Sequence, residues 1–293
     1  DGTGAWHSAA VVRPQAPAAG LFFGGWVDVD GSTMIASLEG AGSAGPYTGA
    51  LEVHERNPVT GEWIHSRTLV APDAGSLEYF GWPCAVDGDW IAAAANEDDE
   101  AGLNAGAVHL FERTGSGFVH RQKLLGHQTG SLFGERLHLA GDWLFVGAFR
   151  ETSPVGRVYR GAVHVYKLVE GSWTFHQRLE GPFTEAASTF GFSIDSFEDI
   201  LAVSAPAFKL LDGSNGYPWD GLTLYRLVDG QWRWHRHAPS DNERSAAWGH
   251  AIAQISRDHT VVGAPFMNLN QGRNHAGIIQ KLDWTIHPAA EGF

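Results

Sequence analysis

Two side chains suited to proton transfer stand at related places in this sequence. Glu135 follows Phe133-Gly134, and His250 follows Trp248-Gly249. A carboxyl and an imidazole act as an acid–base pair if they meet within hydrogen-bond reach or flank a substrate. Glu135-Arg136 reads equally well as an ion pair between neighbours. Glu97, Asp98 and Asp99, within Asn96-Glu97-Asp98-Asp99-Glu100, offer hard oxygen ligands to a cation. A solvated acidic surface, or one facing a basic partner, is the other reading. Aromatic rings beside amides, carboxylates and guanidinium groups suit carbohydrate, because the ring covers the apolar sugar face while polar groups bond the hydroxyls. Trp82, Arg150, Tyr159, Tyr217, Trp219, Arg273 and His275 are the ligand-binding candidates. Tyr217 and Trp219 lead them, although Tyr217-Pro218-Trp219 would serve as well to plug a loop onto its scaffold. No H-E-x-x-H, G-x-S-x-G, Walker loop or C-x-x-C pair occurs, so zincin and serine-hydrolase mechanisms have no sequence support.

Composition narrows the partners. A formal net charge of -13 argues against binding a phosphate backbone, and no nucleic-acid partner is expected. No run of apolar residues reaches the ~18 needed to span a bilayer as a helix. Cys84 is the only cysteine, so an internal disulfide is excluded, and its apolar run Trp82-Pro83-Cys84-Ala85-Val86 predicts a buried, inert thiol. A secreted or extracellular location is the expectation. A chain beginning at Asp1 would hide any signal peptide.

The elements that must position these residues follow from a repeat. Phe23-Gly24, Phe80-Gly81, Phe133-Gly134, Phe190-Gly191 and Trp248-Gly249 lie 57, 53, 57 and 58 residues apart. About ten residues after each pair comes a short hydrophobic strand ending in small residues, such as Trp90-Ile91-Ala92-Ala93-Ala94, and a hairpin turn precedes several of these, as at Asp30-Gly31, Asp87-Gly88 and Gly141-Asp142. A variable loop leads to a third strand, clearest as Gly106-Ala107-Val108-His109 and Gly161-Ala162-Val163-His164. A fourth strand opens on an aromatic residue: Trp63, Phe118, Trp173 or Trp232. Four strands per roughly 55 residues predict an all-β, five-bladed β-propeller of four-stranded antiparallel blades. The chain reads as a single domain, 1–293, with blades at about 23–70, 80–125, 133–180, 190–237 and 248–287.

The ends carry a closure argument. Trp6 precedes Phe23 by 17 residues, as Trp63 precedes Phe80 and Trp173 precedes Phe190. Residues 5–12 therefore read as the outer strand of the last blade, closing the ring and removing exposed edges. The competing reading takes Trp284-Thr285-Ile286-His287 as that blade's own fourth strand. His7, His65, His120, His176 and His235 are assigned to one repeat position, spread around the perimeter as packing or edge hydrogen-bonding groups.

The Phe-Gly pairs, with Gly263-Ala264-Pro265 and the looser Ser204-Ala205-Pro206, resemble FG-GAP repeats, the family of integrin α-subunit propellers and of bacterial and fungal secreted proteins. The resemblance implies that the face carrying the strand two-to-three loops is the ligand side. Integrin-type repeats often hold calcium in an Asp-x-Asp-x-Asp-Gly loop. Here Asp28-Val29-Asp30-Gly31 and Asp87-Gly88-Asp89 are short of that motif and read as ordinary turns. No cofactor is required, and calcium is the ion such acidic turns would admit. The leading functional expectation is a ligand-binding propeller, lectin-like, using the long strand two-to-three loops. One alternative is a lyase or hydrolase acting on a sugar or small metabolite at the channel mouth, with Gly25, Trp82, Glu135, Phe192 and His250 in equivalent places. Another is a protein-interaction module.

Overall fold

The computed structural model describes residues 10–42, 44–152, 159–182, 188–206, 221–239, 249–264 and 278–284. Among them every regular element is a strand. The first blade contains β1 (Phe23–Asp30), β2 (Thr33–Leu38), β3 (Leu51–Arg56) and β4 (Trp63–Leu69). The second contains β5 (Cys84–Asp87), β6 (Trp90–Ala95), β7 (Ala107–Thr114) and β8 (Gly117–Leu125). The third contains β9 (Arg136–Ala140), β10 (Trp143–Ala148), β11 (Ala162–Val169) and β12 (Ser172–Leu179). The fourth contains β13 (Ser193–Phe197), β14 (Ile200–Ala205), β15 (Gly221–Val228) and β16 (Gln231–Pro239). The fifth contains β17 (Ala251–Ser256), β18 (His259–Ala264) and β19 (Ile278–Asp283). Each sheet keeps its strands in chain order. The fold is an all-β, five-bladed propeller, as the repeat predicts. It divides into two compact units: residues 1–95 with 108–123, holding blades one and two, and residues 96–107 with 124–293, holding blades three to five.

Turn chemistry sets the hairpins. Gly31, Gly88 and Gly141 take φ of +54°, +54° and +57° in the two-residue loops joining strands one and two. Such a loop matches strand twist only with a left-handed first residue, which glycine adopts without strain. The Phe-Gly signature has a physical cause of its own. All five glycines of the pairs are left-handed, with φ between +77° and +98°. The N–H of Gly81 donates to Ala94 O at 2.8 Å, and those of Gly134 and Gly191 donate to Gly147 O and Ser204 O at 3.1 Å. Each pair is thereby bonded to the end of its own second strand. The phenylalanine is core: Phe80, Phe133 and Phe190 are at most 1% exposed.

Cores lie between neighbouring sheets. In the first unit Ile35, Leu51, Val53 and Leu69 of blade one pack with Phe80, Val86, Ile91 and Phe118 of blade two. In the second unit Phe145 and Val165 of blade three meet Leu201, Tyr225 and Trp232 of blade four. Small residues on the second strands, such as Ala92–Ala95, are fully buried where backbones crowd.

At the last blade, Trp284 stays in third-strand register. Its N–H donates to Asp258 O at 2.8 Å, as Leu168 and Leu227 donate to Asp142 O and Asp199 O in the two preceding blades. Trp284 thus ends the third strand rather than opening a fourth. Its buried indole donates to Thr260 Oγ1 at 2.9 Å. Residues 5–9 and 285–293, which carry the two readings of the outer strand, lie outside the described residues.

Candidate functional site

In the first unit an aromatic shelf is built where two loops meet. Tyr47 lies between β2 and β3, while Tyr79 and Trp82 lie between β4 and β5. Backbone bonds lace the loops together: Leu77 N–H donates to Pro46 O, Tyr79 N–H to Tyr47 O and Trp82 N–H to Tyr79 O, at 3.0–3.1 Å. The Tyr47 and Tyr79 rings are 5.5 Å apart and tilted by 31°. Tyr79 meets Trp82 edge-on at 6.5 Å. Tyr47 and Trp82 remain 39% and 38% exposed, and Leu77 beside them is 50% exposed. Tyr47 and Tyr79 are left-handed, at φ +52° and +55°. The same conformation recurs at Asn104 and Leu132, and there too the first residue's carbonyl accepts from the second's N–H. The turn therefore tolerates other side chains, and the stacked rings are not needed to form it. On the preceding repeat, Glu39 is 8% exposed, and burial raises its carboxyl pKa. Its carboxylate fills the space above Gly25, where a Cβ would lie 1.9 Å from Glu39 Oε1.

In the second unit the residues following Phe-Gly gather charges. Glu135 accepts a short hydrogen bond from the Asn96 amide. Arg136 Nη1 donates to the Glu135 carbonyl at 2.6 Å and stands 3.8 Å from its carboxylate. The Arg136 guanidinium lies 4.5 Å over the Phe192 ring, and the His250 ring packs on the same phenyl at 5.1 Å. Phe149 meets Phe192 at 5.4 Å and carries Arg150 over its own face at 5.5 Å. Burial raises the Glu135 pKa, against the opposing pull of Arg136, the Asn96 amide and Arg150. Burial first, then the Arg136 charge, lowers that of His250. Glu135 and His250, the expected acid–base pair, thus share Arg136 as an electrostatic neighbour.

The acidic loop mostly organises itself. Asp98 is buried, its carboxylate accepts the Glu100 N–H at 2.9 Å, and its carbonyl accepts the Gly106 N–H. Asp99 accepts the Asn104 N–H at 2.7 Å. Glu97 acts on Glu135 through its charge. Tyr159 is exposed, and its carbonyl accepts the Ser188 N–H at 2.8 Å. Tyr217, Trp219, Arg273 and His275 lie outside the described residues.

Sequence reasoning missed several positioning groups. Asp28 and Asp30, weighed as calcium ligands, accept the N–H groups of Val86, on the next blade's first strand, and of Gly88, in the turn after it, at 2.9 and 2.8 Å. Asp195 does the same for Gln254 at 2.6 Å. First strands leave backbone donors on their edges, and a carboxylate from the neighbouring sheet satisfies them. The outer-strand histidines occupy two positions rather than one. His65 pairs in register with His54, whereas His176 and His235 are the extra residue of a β-bulge. His176 donates to Gly230 O at 2.8 Å, an edge bond to the next blade. The residue after the bulge ties blade to blade: Arg67 to Phe118 O, Gln177 to both Trp232 backbone groups at 2.9 and 3.0 Å, and Arg236 to Trp284 O. His164 is held by Glu151 at 2.6 Å, and Arg178 pairs with the same carboxylate at 2.7 Å.

Residues 63–111 match the FG-GAP repeat family. Among solved structures the chain is similar to the Saccharomyces cerevisiae assembly of Dbp5 bound to Nup159, Gle1, IP6 and ADP, at a TM-score of 0.45 and 10% identity. That match covers 88% of this chain and 57% of the other, so this chain spans less than two thirds of it. It is also similar to the Pseudomonas aeruginosa periplasmic gluconolactonase PpgL, at a TM-score of 0.41 and 12% identity, over 88% of this chain and 85% of that one. No curated protein matches the sequence. No helix among the described residues is long and apolar enough to cross a membrane.

Proposed function

We propose that this propeller binds a saccharide on the shelf formed by Tyr47, Tyr79 and Trp82. The observation that carries the reading is three adjacent aromatic rings, two of them more than a third exposed, in turns whose backbone does not require them. An exposed ring of this kind gains by covering the C–H face of a sugar, and its cost in water is removed when it does. A secreted or extracellular location goes with such a ligand. The test is a broad glycan array read with and without calcium, using the native chain, Trp82→Ala and Tyr47→Ala. Specific binding that both variants lose, with unchanged circular dichroism, supports the reading. Binding that neither variant weakens, or no binding at all, overturns it and shifts weight to a protein partner.

A second reading has its own observation. Burial moves the Glu135 carboxyl pKa up and the His250 imidazole pKa down, so each is shifted toward its neutral form. A carboxyl held toward its acid form and an imidazole held toward its base form suit a lyase or hydrolase. Turnover of an array hit that Glu135→Gln abolishes while binding persists would support this enzyme. Turnover unchanged in that variant would end it.

A further inference from the structure

We propose that the first unit binds the ammonium group of an amino sugar through the Glu39 carboxylate, at the Trp82 end of the aromatic shelf. The inference rests on the saccharide reading of that shelf and names the class of sugar.

The other carboxylates of the first blade have partners. Asp28 accepts the Val86 N–H, Glu52 accepts the Gln15 N–H and Glu55 accepts the Arg113 guanidinium, each at 2.9 Å. Glu39 is different. It is 8% exposed, and among the described residues it makes no hydrogen bond or ion pair. Burial alone moves its carboxyl pKa, and no charged side chain contributes. A carboxylate withdrawn from water without a partner opposes folding, and a ligand that supplies N–H donors and a positive charge removes that cost. The carboxylate lies in space left open by Gly25, which alone among Gly25, Trp82, Glu135, Phe192 and His250 has no side chain.

The repeat ties this carboxylate to the shelf. Glu39, Asn96 and Phe149 each follow the last residue of a second strand, and Trp82, Glu135 and Phe192 each follow a Phe-Gly pair. Later in the chain the two positions touch from one repeat to the next. The Asn96 amide donates to the Glu135 carboxylate, and Phe149 meets Phe192 at 5.4 Å. Glu39 and Trp82 are the same pair one repeat earlier. An exposed indole is the aromatic face that best accepts a cation, and the carboxylate beside it takes the N–H groups. A neutral sugar uses only the ring. A protonated amino sugar uses both, and the net charge of -13 favours its approach.

The test is calorimetric titration of the full chain at neutral pH and low salt with glucosamine, N-acetylglucosamine and glucose. Glucosamine should bind tightest, because acetylation removes the charge and glucose has no amine. Glu39→Gln should weaken glucosamine about ten- to hundredfold, the range for losing a charged hydrogen bond, and so bring it down to the level of glucose. The variant keeps the side chain's shape and removes a buried charge, so its melting temperature should not fall. Gly25→Ala tests the position of the carboxylate with its charge intact. The new Cβ would stand 1.9 Å from Glu39 Oε1, the mobile end of a side chain, and Gly25 is not left-handed, so the carboxylate moves and the backbone does not. This variant should also lose the preference for glucosamine. Trp82→Ala should weaken every sugar that binds. If glucose or N-acetylglucosamine binds as tightly as glucosamine, or if the preference survives Glu39→Gln, the amine reading is overturned and the saccharide reading stands. If none of the three binds, both are overturned.

Discussion

Replacing Gly161 by alanine should damage this fold far more than replacing Gly171, although both glycines are left-handed and belong to the same blade. Their φ values are +69° and +78°, so the backbone penalty of a Cβ is similar at both. That penalty is about 1–2 kcal/mol, partly offset by the lower entropy of the unfolded alanine chain, about 0.4–1 kcal/mol. At Gly171, with nothing within 4 Å of the added atom, the net cost should be about 1 kcal/mol. At Gly161 the Cβ would stand 2.1 Å from Phe190 O. The listener to that clash is backbone, bridged in parallel to Gly161 itself. Relief requires moving the Phe-Gly segment, breaking the bridge and loosening a phenylalanine that is 1% exposed. Partial exposure of that ring costs roughly 1.5–3 kcal/mol, and a lost backbone bond adds about 1 kcal/mol. The Gly161→Ala variant should therefore lose about 3 kcal/mol more than Gly171→Ala. Equilibrium urea unfolding of the two variants, followed by tryptophan fluorescence, measures the difference. Equal losses within about 0.5 kcal/mol would refute the claim that this glycine is fixed by the approach of the next repeat.

Three further outcomes are expected. Burial lowers the pKa of His237 from 6.5 to about 4, and Thr223 Oγ1 lies 3.0 Å from its Nδ1; the unfolded chain thus binds the proton more readily, and stability falls by about 3 kcal/mol as pH drops from 6.5 to 4. His237→Asn, which keeps a partner for Thr223 but cannot charge, should lack that part of the loss, and identical pH profiles in urea titrations would contradict it. Glu135 has the opposite sign: its pKa is raised, so ionisation costs stability above the folded pKa and the cost disappears on acidification. Glu135→Gln should raise the melting temperature at pH 7 and lose that advantage by pH 4, whereas a constant difference would count against a buried charge. Cys84, 1% exposed with its thiol pKa pushed up by burial and then by Asp28, should resist iodoacetamide in the native protein and react in urea, as read by mass spectrometry.

Much of the architecture was legible because its cause is local. The Phe-Gly spacing, the hairpin glycines and the small second strands each follow from one residue's size or φ preference, and all reappear in the blades. The site was less legible, because its parts come from different repeats. Nothing near Asp28 in the sequence says that its carboxylate will bond Val86, 58 residues on. The histidines looked equivalent because each lies close behind the aromatic that opens its strand, but His65 is two residues after Trp63 whereas His176 and His235 are three after Trp173 and Trp232, which puts them on the extra residue of a bulge that falls on Ser66 in the first blade. The shelf was partly visible: Trp82 is marked by its place after Phe80-Gly81, whereas nothing about Tyr47 in its sequence marks it as a stacking partner. Tyr79 was passed over, since a residue ahead of Phe-Gly carries no mark of stacking until the loops are brought together.

The segment that matches the FG-GAP repeat, 63–111, begins at β4 and ends within β7. It takes the outermost strand of one sheet and the first three places of the next, so the matched segment and the folded blade are out of phase. A copy of such a stretch would carry the Arg67 side chain but not the Phe118 carbonyl it bonds, which lies past the end of the match. Each new copy therefore has to mate with an older one before either sheet is complete. A change in the number of copies in such an array would have to preserve the fit between one copy and the next, and the loops between strands two and three, laced by backbone bonds to the following repeat as at Pro46 and Tyr47, are part of that fit.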